Sequence, residues 1–136
     1  MERDRKDLSV DDFMTGLIST LALRHHDVVS LRERDFFRRV EESFRVVTED
    51  ASRVGVEVRF WITLDDFHKD SPVVREAISA AVLRDLVSLD NPEYQDMRIK
   101  LTPREAELQL ETVPGGRDLF ERAATVFLKG LPEAIR

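Results

Sequence analysis

The stretch RIKLTPREAELQLETV, Arg98 to Val113, decides the fold because it supports two secondary structures. Thr102-Pro103-Arg104-Glu105 is a capping box with proline at the first helical position, which opens a helix. Yet Ala106, Leu108 and Leu110 alternate with Glu107, Gln109 and Glu111, the period of a half-buried strand. On a helix, successive members of that apolar set point about 200° apart and leave no single stripe. The alternation therefore favours a hairpin: Ile99 and Leu101, then Ala106, Leu108 and Leu110, form two short strands around a turn at residues 102–105.

Working outward, Ser9 and Asp12 form a capping box, and Leu8 can staple onto Phe13, so a helix carries Phe13, Met14, Leu17, Ile18 and Leu21 on one face. Ser30 and Glu33 open a second helix with Phe36, Phe37, Val40, Phe44, Val47 and Ala51 aligned. After Gly55 the period changes to two. Val54, Val56, Val58, Phe60 and Ile62 alternate with Gly55, Glu57, Arg59, Trp61 and Thr63, as a strand requires. Ser71-Pro72 begins a third helix whose buried face is Val74, Ala77, Ile78, Ala81, Val82, Leu86 and Leu89, stopped by DNPEY at 90–94. PGGRD at 114–118 breaks the pattern again, and Asp118 with Glu121 starts a last helix bearing Leu119, Phe120, Ala123, Val126 and Phe127. The expected fold is α+β in the order α-α-β-α-β-β-α, a small three-stranded sheet with four helices packed on one face. A mostly α winged helix is the alternative. Residues 1–136 read as one domain, with 1–7 a disordered charged tail.

A chain of 136 residues can enclose a core without staples, and it has no cysteine, so neither a disulfide nor a thiolate metal site contributes. The longest apolar run, Leu17 to Leu23, is interrupted by Ser19 and Thr20 and falls short of the roughly 20 residues a membrane span needs. MERDRKD has no apolar segment of signal type behind it, so a cytoplasmic protein is expected. The net charge of −6 repels polyanions unless a local basic patch overrides it, which argues against nucleic acid as a partner.

Residues 83–108, LRDLVSLDNPEYQDMRIKLTPREAEL, nevertheless resemble the end of a winged-helix regulator of the MarR type. The shared tokens are Asp96-x-Arg98 and Leu101-Thr102-Pro103; in such a regulator a recognition helix is followed by a wing and then by the LTP that opens a helix. The resemblance implies DNA binding. The chain departs from it in having Arg104-Glu105 where a glycine is expected, and a wing tip, NPEYQD, without a cation to meet phosphate.

Few residues are arranged for chemistry. His25, His26 and Asp27 cluster after the first helix, but adjacent side chains diverge and no HxxxH or HExxH spacing occurs; a helix C-terminus is their ordinary place. Asp65, Asp66 and Asp70 around His68 imitate a carboxylate and base pair in a loop, without a marked nucleophile. PGGRD lacks the phosphate-loop patterns. Arg32, Arg34, Arg38, Arg39 and Arg45 alternate with Glu33, Asp35, Glu41 and Glu42, as on a solvated helix face. No catalytic residue, metal ligand or cofactor is assigned.

The candidate site is instead the outward face of the sheet. There Arg59 and Trp61, the lone tryptophan, are expected to join Arg98 and Lys100 as partner-binding residues, with Glu107, Gln109 and Glu111 alongside. The expectation is a non-enzymatic protein that works by association with a protein partner or with itself as a homo-oligomer. The alternatives are a winged-helix transcriptional regulator and a small enzyme with an Asp/His site.

Overall fold

The structure is a computed structural model and describes residues 6–26, 28–30, 36–58, 60, 72–89 and 96–129. The fold is α+β. Its elements are β1 (Lys6–Leu8), α1 (Val10–Leu23), β2 (Val28–Ser30), α2 (Phe36–Ala51), β3 (Val56–Val58), α3 (Pro72–Leu83), β4 (Val87–Ser88), β5 (Asp96–Ile99), α4 (Pro103–Thr112) and α5 (Gly116–Lys129), with a 3-10 turn at Ser52–Val54. β2, β5 and β4 form an antiparallel sheet in that order, and β1 and β3 a separate parallel pair. Among the described residues no helix is long and apolar enough to cross a membrane.

The helices stop and start where short-range chemistry directs. Ser9 Oγ accepts from the Asp12 amide at 3.0 Å while the Asp12 carboxylate accepts from the Ser9 amide at 3.2 Å, completing the expected box at the head of α1. α1 and α3 end identically. The His26 amide donates to the Leu21 carbonyl and the His25 amide to that of Ala22; the Leu86 amide donates to Ala81 and the Asp85 amide to Val82. Both are Schellman caps, and each places a non-glycine residue, His25 (φ 61°) or Asp85 (φ 65°), in the left-handed region. The cap turns the chain sharply, so each helix is followed within a few residues by an edge strand of the three-stranded sheet.

Residues 103–112 are a helix, not the second strand of a hairpin. Thr102 Oγ1 accepts from the Glu105 amide (3.1 Å) and the Glu105 carboxylate from the Thr102 amide (2.9 Å), with Pro103 in the first turn. The apolar face is Ala106, Leu110 and Val113, at helical spacing and all buried. Leu108, which completed the apparent alternation, is 50 % exposed. The period of two was an accident of one surface leucine, and two satisfied amides with a preset proline outweighed it. Thr102→Ala is expected to lower stability by about 1 kcal/mol, readable in urea denaturation. An unchanged midpoint would mean that the box contributes nothing.

Other expectations change with it. Residues 99–101 and 106–110 do not pair; β5 pairs instead with β2 and β4, neither of which stood out in the sequence, because each has only two or three residues. Leu86 and Leu89, assigned to the third helix, lie beyond its end at Leu83, and Val87 between them is in β4. Lys6 and Asp7, assigned to a tail, pair with Val56 and Glu57 in β1. α5 begins at Gly116, so Asp118 sits inside its first turn rather than capping it, and the Glu121 carboxylate is bound elsewhere. The Ser30–Glu33 box lies partly outside the described residues, with Ser30 the last residue of β2.

One continuous core joins all the layers. α1 lies at its centre against α3, α4 and α5, and α2 packs along α5. The sheet is one-sided, as period two dictates. Val29, Val87, Met97 and Ile99 are buried on its inner face, whereas Val28 and Arg98 are exposed on the other.

Candidate functional site

The expected partner-binding residues Arg98 and Lys100 lie in the unit formed by α3, β4, β5 and the head of α4. On the outer sheet face, register places Arg98 opposite Val28 on β2 and Ser88 on β4. Lys100, two residues on, continues that register: its amide donates to the Leu86 carbonyl at 2.9 Å and its ammonium pairs with Asp85. That ion pair brings the end of β5 beside the end of α3. In the same corner Leu83, the last residue of α3, is 86 % exposed.

The cations of this unit are mostly engaged in holding it together. Arg84 donates to Thr15 Oγ1 at 2.8 Å, tying α3 to α1, and the Arg75 guanidinium stacks 5.3 Å from the Phe37 ring centroid. Residues 72–100 carry four cations (Arg75, Arg84, Arg98, Lys100) against five carboxylates (Glu76, Asp85, Asp90, Glu93, Asp96). The segment therefore carries one more carboxylate than cation.

Of the residues expected to bind a partner, the structure brings Arg98 and Lys100 together on one sheet. Arg59 and Trp61 lie outside the described residues, and the strand leading to them, β3, pairs with β1 rather than with β5. Glu107, Gln109 and Glu111 are on α4, so they are not cross-strand partners of Arg98 or Lys100. Asp65, Asp66, His68 and Asp70 also lie outside the described residues. Leu83 did not stand out in the sequence. Its signal was an apolar residue following Val82, off the stripe defined by Val74, Ala77, Ile78 and Ala81.

His25 and His26 serve as the cap of α1, in accord with the plain reading of RHHD, and the described residues contain no group of three side chains able to hold a metal ion. Arg39 departs from the expected solvated face. It is 1 % exposed, with its guanidinium 5.3 Å from the Phe127 ring centroid. Three residues after Phe36 and one before Val40, it was on the apolar stripe all along. Ser43 and Asp50 continue that seam: Ser43 Oγ donates to the Ala123 carbonyl, and Asp50 Oδ1 accepts from Arg122 and pairs with Arg53. The Ser43 and Arg122 contacts fasten α2 to α5.

The PGGRD turn joins α4 to α5 through Gly115 (φ 84°) and Gly116 (φ 56°). Arg117 is paired within the turn: its Nε donates to Glu121 at 2.7 Å, and Arg24 reaches the other oxygen of the same carboxylate at 2.8 Å. Hydrogen bonds from Arg117 and then Arg24 hold the Glu121 carboxyl below the usual carboxylate range. A depressed folded-state pKa stabilises the protein above the unfolded value, and that contribution is lost as pH falls through the folded one. The group is well solvated, so the effect is below about 1 kcal/mol. Glu121→Gln is therefore expected to destabilise slightly at neutral pH, and its difference from wild type to vanish in acid; a difference independent of pH would exclude the ionic origin.

Compared with family models, curated proteins and solved structures, the chain matches none.

Proposed function

We propose that this protein works by association, presenting the corner formed by the end of α3 and the β4–β5 sheet to a protein partner or to a second copy of itself. The observation that carries the reading is Leu83, a large apolar side chain left 86 % exposed beside the Asp85–Lys100 ion pair. Immersed against a partner, such a leucine contributes roughly 1.5–3 kcal/mol, and the flanking charges of both signs supply a polar rim. Arg98 and Val28 extend the surface along the outer sheet face.

The test compares wild type with Leu83→Asp, by light scattering through a dilution series and by quantitative capture of interacting proteins, with Leu108→Asp on α4 as the control. Because Leu83 is exposed, its replacement should leave the fold and melting temperature intact. It is expected to weaken association by about tenfold or more, the equivalent of about 1.4 kcal/mol, while Leu108→Asp has no effect. A monomer at every concentration whose captured proteins are the same with either variant would overturn the proposal.

A second reading has one specific observation in its favour. The sequence α3, hairpin β4–β5, then a helix opened by Leu101-Thr102-Pro103 has the element order of the winged-helix segment that residues 83–108 resemble. The fold analogy alone does not carry a function, and the excess of carboxylates in residues 72–100 opposes it. Retardation of duplex DNA at low salt, abolished by Arg98→Ala, would favour this reading over association; no retardation at low salt would remove it.

A further inference from the structure

We draw no further inference here: the strongest candidate, the cleft of about 530 Å³ where α4 turns into α5, floored by Leu23, Leu110 and Val113 and rimmed by Glu107, Glu111 and Asp118, is an acidic cluster beside a helix N-terminus, and no second observation in the structure points to a ligand for it.

Discussion

Phe13→Ala is expected to lower the stability of this protein by about 3–5 kcal/mol, a large fraction of the roughly 5–15 kcal/mol that holds a domain folded. Phe13 is fully buried on α1. Its ring lies 6.1 Å from Phe44 on α2 in an edge-to-face arrangement, 5.7 Å from Phe60 just beyond β3, and 6.2 Å from Phe120 on α5. One side chain thus connects three helices and the end of the parallel strand pair, and its loss forfeits both buried area and three ring contacts. The cavity cannot be refilled by moving one element, because each neighbour is anchored separately in the core. Phe13→Leu, which fills most of the space, should cost much less. Equal losses for the two variants in urea denaturation would show that the site collapses and that the rings do not matter.

The second large effect has a sign that distinguishes tertiary packing from helix propensity. Gly16 lies within α1, where alanine would ordinarily stabilise by about 1 kcal/mol. Here an added Cβ would sit 2.3, 2.4 and 2.7 Å from three atoms of the Phe120 ring, which is itself fully buried. The glycine allows α1 and α5 to approach until the ring covers the backbone. Gly16→Ala is therefore expected to destabilise by about 2 kcal/mol net, the overpacking cost exceeding the propensity gain. Phe120→Leu in the same chain should recover part of that loss, because the two positions share one contact. Thermal denaturation of the two single variants and the double variant checks this. A more stable Gly16→Ala protein would mean that α1 and α5 are not in contact at this point.

The candidate surface was only partly legible in the sequence. That Arg98 and Lys100 belong to a strand followed from their alternation with Ile99 and Leu101, and the structure places Arg98 and Ile99 in β5 with Lys100 and Leu101 directly after it. Which strands flank them did not follow, since β2 and β4 are too short to show a period and are specified by pairing and by the caps that precede them. Leu83 was legible as apolar but not as exposed. Its exposure depends on where α3 ends, which the Asp85 cap decides by turning the chain one residue beyond Arg84.

The same division runs through the whole chain. By itself the sequence determined the α+β class and the main apolar stripes of α1, α2, α3 and α5, because helical periodicity over 12 to 16 residues is a strong local signal; that α1 is buried on every side from Phe13 to Ala22 was decided by its central place among the other helices. It also determined the head of α1, because a capping box needs only residues three apart. The tertiary structure decided what local pattern left ambiguous. In residues 103–112 a capping box and a false alternation competed, and burial of Ala106 and Leu110 against α1, with Leu108 left in water, favoured the helix. Arg39 passed from solvated face to buried seam because α5 lies across α2 there. β1 and β3 became a parallel pair through contacts some fifty residues apart, Lys6 with Val56 and Leu8 with Val58, and a three-residue strand carries no local signal for a partner at that distance.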